Sequence, residues 1–278
     1  MNQLLKKIYL PIFFILICFV AISGNENYPV GARYSSMGNT GVMTPSLWST
    51  SHNQAGLAFL KISEVGLHYE NKFLIPELGL SSLAFALPSK KSGTFGLNYN
   101  HFGYSKYNES KIGLSYAKMF GNSFAAGVQI DYFQTHIDEE YGNKGVPVAE
   151  IGILSQPVKG LYVGAHVFNI SKAKIDDYSN ERIPTIFKLG LGYAFSEKTL
   201  VCIETEKDLD QKAIFKGGIE YQLLVNLYLR TGIITNPVQN TFGVGYKMKK
   251  FKADIAFVTH PVLGLSSQIS ISYALSSK

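Results

Sequence analysis

The sequence predicts an all-β fold: a transmembrane antiparallel β-barrel of about 14 strands, with an N-terminal plug inside the lumen. Three observations carry that expectation. From about Ile62 onward, short runs alternate large apolar residues with Gly, Ser or charge, as where Phe187, Leu189, Leu191 and Tyr193 interleave with Lys188, Gly190 and Gly192. A period of two gives a strand two unlike faces. The connectors between runs sort by parity into tight and long sets, and the segment Asn25 to Leu60, ahead of the runs, lacks their alternation.

In chain order, Met1 to Lys7 carries two lysines, Ile8 to Ile22 is apolar, and Ala21 and Ser23 are small residues at the −3 and −1 positions, so residues 1–23 are expected to be an export signal cleaved after Ser23. The apolar run is shorter than the roughly 20 residues of a spanning helix and contains Pro11, which argues against a retained anchor. Cys18 lies in it with no lipobox around it. Without these residues the formal charge falls from +6 to +4, too mild to argue for nucleic acid as a partner. Cys202 is then the one cysteine left, which excludes an intramolecular disulfide and a cysteine-based metal site.

Runs of the right period lie near 62–70, 77–87, 94–102, 110–119, 123–137, 148–155, 161–170, 185–195, 199–207, 213–222, 227–235, 241–247, 251–259 and 266–275. Connectors after even runs are tight and mostly basic (Pro88 to Gly93, Gly121-Asn122, Gln156 to Gly160, Ser196 to Lys198, Lys247 to Lys250). Those after odd runs include the longest and most acidic or Asn-rich (Gly103 to Glu109, Asp138 to Gly145, Ser171 to Arg182, Asn236 to Asn240). Short periplasmic turns and longer outer loops give this pattern, so both termini are expected in the periplasm of a Gram-negative cell, with outer-membrane lipid around the wall. Aromatic residues suit the same map. Phe95, Tyr116, Phe124, Tyr193, Tyr221, Tyr246, Phe251 and Tyr273 would form one belt, and Tyr69, Tyr99, Tyr132, Phe187 and Phe257 the other. A soluble sandwich would bury one face of each sheet and need no belts.

On the inward face, register counting sets Lys188 opposite Glu206 and Glu220 diagonal to Arg230. Either a charged conduit or a lumen filled by mutually neutralising ions fits these pairs. Inward glycines such as Gly127, Gly152, Gly164, Gly190, Gly218 and Gly232 leave room beside the wall for the plug. Its text runs Gly31-Ala32-Arg33 to Met37-Gly38, then Asn53-Gln54-Ala55-Gly56-Leu57-Ala58. This resembles the "GAR…MG" start and "NPAGLA" signature of FadL-type outer-membrane barrels, especially their PorV/PorQ-like branch. Gln54 stands where proline is usual. Softer matches follow at Asn169, Pro184, Gly218 to Tyr221 and Arg230 to Gly232.

The resemblance implies a hatch over 24–61, with Asn53, Gln54, Ala55 and Gly56 as its turn, and a barrel over 62–278. It also implies one of two functions. PorV-like members are accessory subunits of type IX protein secretion, which would make secretion-system proteins or secreted cargo the partners; FadL-like members take up hydrophobic small molecules. A hydrophobic substrate needs an apolar groove, and the outer loops carry no dense apolar cluster beyond Phe73-Leu74-Ile75, which favours the accessory role.

An enzyme is not expected, nor a cofactor. His52, His68, His101, His136, His166 and His260 are scattered one per element without metal-ligand spacing. Asp138-Glu139-Glu140 and Asp176-Asp177 do not follow a Ca²⁺ loop pattern, and Gly38-Asn39-Thr40-Gly41 lacks the lysine of a phosphate loop. Trp48, the single tryptophan, is expected in the hatch core.

Overall fold

Fourteen strands lie side by side in the order in which the chain makes them. They are β1 (Glu64–Asn71), β2 (Gly79–Ser89), β3 (Gly93–Tyr104), β4 (Tyr107–Phe120), β5 (Phe124–Ile137), β6 (Gly142–Val158) and β7 (Leu161–Phe168). The second half comprises β8 (Ile186–Ala194), β9 (Thr199–Asp208), β10 (Ile214–Leu224), β11 (Leu227–Ile234), β12 (Gln239–Met248), β13 (Phe251–His260) and β14 (Gly264–Ala274). β14 returns to β1, with Glu64 opposite Ala274 and Asn71 opposite Ser267, and the sheet closes as a barrel. The computed structural model describes residues 27–89, 91–138, 142–174 and 183–275. The expected export signal, and the acidic residues Glu139, Glu140, Asp176 and Asp177, lie outside the described residues.

The two faces of the wall differ as the alternation requires. Leu67, Leu114, Ile130 and Leu189 point outward and are 58–68% exposed, whereas the inward residues Lys111, Asp131 and Lys188 are buried. Apolar area costs about 25 cal/mol per Å² in water, so a continuous outward band of this kind calls for hydrocarbon as its solvent. Aromatic rings edge the band: Phe95 faces Tyr116 and Phe251 faces Tyr273 near the tight turns, while Tyr69, Tyr99, Tyr132 and Phe187 sit toward the loops. The two ends are called here the turn end and the loop end.

All strand ends but the start of β6 fall within three residues of the expected runs, and the departures of β6 and β7 have a clear cause. β6 runs on through Pro147 to Gly142, where the alternation fails. Pro147 is tolerated because β7 pairs with β6 only between Ile151 and Val158, leaving that stretch of β6 without β7 beside it. β7 stops at Phe168 because Asn169 turns to φ 53°, its side chain bonding Ala173 and the Ile183 carbonyl.

The chain from Asn27 to Leu60 lies inside the barrel. It contains α1 (Ala32–Ser35), α2 (Ser49–His52) and a 3₁₀ helix, η1 (Gln54–Phe59), packed on β3, β4, β5 and β6. Tyr28, Val30, Tyr34, Leu47, Trp48 and Leu57 form its main apolar cluster with Leu80, Ala84, Ala86, Phe102 and Ala117 of the wall. These short helices could not persist alone; burial in the lumen holds them.

Candidate functional site: the plug and its lumen anchors

The residues Asn53 to Gly56 form the contact between plug and wall at the start of η1. Asn53 Oδ1 accepts the Ala55 N–H at 3.2 Å and so caps the helix. Its Nδ2 donates to Val42 O at 2.7 Å within the plug and to Ile153 O at 2.9 Å in β6. Such an approach needs a wall without side chains. A Cβ on Gly152 would stand 2.0 Å from Asn53 Oδ1, one on Gly127 2.5 Å from Ala55 N, and one on Gly164 2.3 Å from Val42 O. Gly127 faces Gly152, Gly164 faces Gly190 and Gly218 faces Gly232 across their strand pairs, so the inward glycines form bare tracks under the plug. Gly56 lies against Ser49, and Gln54 donates through Nε2 to Glu150 of β6.

Three ionic groups surround these contacts. Glu150 also receives Lys111 at 3.4 Å and His166 at 3.0 Å; Lys111 donates to plug residue Asn27 at 3.0 Å and lies 3.9 Å from Asp131. In the second group Lys188 lies 3.6 Å from Glu206, directly across the β8–β9 pair, and Lys216 bridges Glu206 at 2.6 Å and Glu204 at 3.2 Å. The other oxygen of Glu204 accepts the plug N–H groups of Gly41 and Val42 at 2.9 and 3.0 Å. In the third, Arg33 of the plug grips Glu220 with two bonds of 2.8 and 2.7 Å, and Arg230 links Glu220 at 2.6 Å to Asp254 at 2.7 Å. Glu220 and Arg230 stand directly opposite, not diagonally. A bulge between Gln222 and Leu224 shifts the register by one residue.

Sequence counting within the wall named Lys188, Glu206, Glu220 and Arg230 but missed Glu204, Lys216, Asp254 and the plug's own Arg33. Neighbouring strand register could have flagged Lys216 against Glu204, which pair directly. Nothing in the spacing announces a backbone-to-carboxylate bond such as that of Glu204.

The plug's titratable groups show the cost of this enclosure. Burial works against the Arg33 charge, yet Glu220 more than offsets it and raises the Arg33 pKa. Burial raises that of Tyr34, whose hydroxyl donates to Thr44 O at 2.9 Å. His52, with Nε2 2.8 Å from Val30 O, is pushed down to about 3 by burial, reinforced by the Lys188 charge.

Cavities lie on both sides of the plug. One of about 390 Å³ at the loop end is floored by Asn27, Asn39 and His52 and walled by Lys188, Ile186 and Val258 among others. Two at the turn end, about 440 and 240 Å³, share Arg33 and Tyr228 in their linings. A buried apolar cluster of Phe133, Val148, Phe168 and Ile186 from the strands, joined by Ile183 of the β7–β8 connector, also occupies the loop end. The Ser270–His68 pair, 2.9 Å apart, is sealed under the plug, where Ser270 Oγ accepts the Ala32 N–H. Among the described residues no group of three or more His, Cys, Asp or Glu is arranged to hold a metal.

Several solved structures share this architecture. The chain superposes on the Ralstonia pickettii toluene transporter TbuX with a TM-score of 0.70 at 12% identity, covering 91% of this chain and 100% of that one. For a Pseudomonas aeruginosa FadL homologue the values are 0.66 and 11%, over 90% and 99%. For the P. putida toluene transporter TodX they are 0.64 and 12%, over 89% and 99%. At these identities the likeness establishes a common fold. No family model and no curated protein sequence matches the chain.

Proposed function

We propose that this chain is a FadL-type uptake channel of the Gram-negative outer membrane, passing small hydrophobic molecules when its plug shifts, with both termini on the periplasmic side. The observation that carries the reading is a plug held at discrete polar anchors between a loop-end cavity and two turn-end cavities. TbuX and TodX, described as toluene transporters, supply the ligand class. The loop-end cavity, with Ile186, Ile214, Ile234 and Val258 in its lining, offers apolar contacts that the loop sequences lack. The accessory role in secretion gains no support from these relatives in fold, and uptake takes precedence over it.

The test uses the 3.9 Å approach of Thr44 Oγ1 to Cys202 Sγ. In Thr44→Cys, rotation of the new side chain can bring two sulfurs into bonding range and lock plug to wall. Cells producing the wild-type protein should take up labelled toluene faster than cells without it. The oxidised variant should lose that gain and recover it on reduction. Uptake that equals the empty-cell rate, or that ignores the lock, overturns the proposal; secretion components recovered with the tagged protein would then favour the accessory role.

A further inference from the structure

The charged residues of the barrel are unevenly divided between its ends. At the turn end, Lys249 and Lys250 form the β12–β13 turn, and Lys91, Lys159 and Lys198 occupy the turns before β3, β7 and β9; all five are exposed, while Lys247, on the inward side of β12, lines the 240 Å³ cavity. Lys118 adds an outward charge near the end of β4. Carboxylates are scarce there: Glu197 sits beside Lys198, and Glu64 is bridged by Lys252 at 3.5 Å. At the loop end, by contrast, Asp138, Asp208 and Asp210 stand among Lys106, Lys144 and Lys212.

We propose that this lysine rim seats the turn end of the barrel in a leaflet of anionic phospholipid headgroups. The inference rests on the membrane barrel described above. Four of the six tight turns carry the exposed lysines, so the charge runs around the circumference instead of forming one patch. A protein docking from one side would meet a fraction of it; a leaflet meets all of it. The depth also fits. The lysines lie just beyond outward rings at Tyr116, Tyr193 and Tyr246, the level at which headgroups begin.

The two turns without lysine point the same way. Leu224 and Val225 at the β10–β11 turn are 63% and 84% exposed, and Phe120 and Phe124 flank the β4–β5 turn, exposed as well. Those residues favour an acyl boundary over water, while ammonium groups at the same height attract lipid phosphate and are screened by salt.

The test is folding in vesicles, read as the temperature at which the compact gel band is lost. Wild-type protein should melt several degrees higher in mixed phosphatidylcholine–phosphatidylglycerol vesicles than in phosphatidylcholine alone, and high salt should remove the gain. A variant with Lys91, Lys159, Lys198, Lys249 and Lys250 changed to Gln should match wild type in phosphatidylcholine and lose the gain. Should that variant fold poorly, the wild-type salt series decides. Equal melting of the wild type in both lipids overturns the proposal, as does a gain that survives high salt. Equal melting together with salt-sensitive binding of soluble polyglutamate would assign the rim to an acidic partner in water. Failure to fold in either lipid would instead overturn the membrane barrel itself.

Discussion

Glu204→Gln tests the docked plug most directly, because one carboxylate there serves three donors: Gly41 and Val42 N–H at 2.9 and 3.0 Å on one oxygen, Lys216 at 3.2 Å on the other. An amide offers a single acceptor oxygen, and its NH₂ must then face either the two backbone N–H groups or the ammonium. Charge-assisted bonds of this kind contribute about 1.5–3 kcal/mol each. Only the two backbone bonds join plug to wall, and weakening or opposing both should take about 2–4 kcal/mol from docking, equivalent to roughly 30- to 700-fold in the undocked population. Cys202 reads that population. It is 1% exposed, packed against Met37, Val42 and Met43, and is the single cysteine once residues 1–23 are absent. Maleimide labelling of the folded protein should therefore accelerate by that factor in Glu204→Gln. Glu206→Gln, whose carboxylate bridges the wall lysines Lys188 and Lys216, should label near the wild-type rate. Equal rates in Glu204→Gln and wild type, or equal acceleration in both variants, would refute the reasoning.

Gly152→Ala puts a methyl 2.0 Å from Asn53 Oδ1 and should also speed labelling, whereas Gly217→Ala, with Ile233 Cγ2 as the nearest atom at 3.7 Å, should not; the opposite ranking would dismiss the glycine track as a docking surface. His52 predicts a pH response. Above about 6.5 it is neutral in both states and contributes no pH dependence, but as pH falls toward about 3 the undocked plug takes up a proton that the docked plug refuses. Docking should weaken across that window by up to roughly 4 kcal/mol. Trp48 emission should redden at higher pH in the wild type than in His52→Gln, and coincident curves would remove His52 from the account. Gln54→Pro should fold, since η1 begins at residue 54 and proline suits a first helical position. Glu150 loses one donor but keeps Lys111 and His166, so the expected loss is about 1–2 kcal/mol by chemical denaturation. A loss well above that would mean the Gln54 backbone matters more than its side chain.

The barrel was legible because a wall between lipid and lumen imposes its period on every strand, and the wall has little else to encode. Phe187 to Tyr193 announced both faces without help from the rest of the chain. β6 escaped at its loop end because Gly145 and Pro147 interrupt the alternation, and what permits Pro147 there is the missing β7 partner, a property of the neighbouring strand. The site divides similarly. Glu206 and Lys188 could be paired by counting residues through one hairpin, but the Glu220–Arg230 register depended on a bulge that counting does not see. Arg33 and the plug contacts of Glu204 were out of reach for a different reason: those partners are about 160 or more residues away, across a lumen whose contents follow no period.

The plug is attached unequally on its two sides, and this bears on how it can move. Toward β2, β3 and β4 it is cemented by Tyr28, Leu47, Trp48 and Leu57 against Leu80, Ala84 and Phe102, and the chain continues from there into β1. Toward β9, β10 and β12 its larger attachments are Glu204 to Gly41 and Val42, Glu220 to Arg33, and Thr241 to Gly38. Apolar cement is lost in proportion to the area that separates, whereas ionic and amide contacts are exchanged for water with a smaller net change. The β9–β12 side should therefore yield first, opening toward the 440 Å³ cavity lined by Arg33, Thr44 and Glu220. Cys202 lies on the yielding side and Trp48 on the cemented one. On mild warming, thiol labelling should rise before Trp48 emission moves; simultaneous change would mean that the plug leaves as a rigid unit.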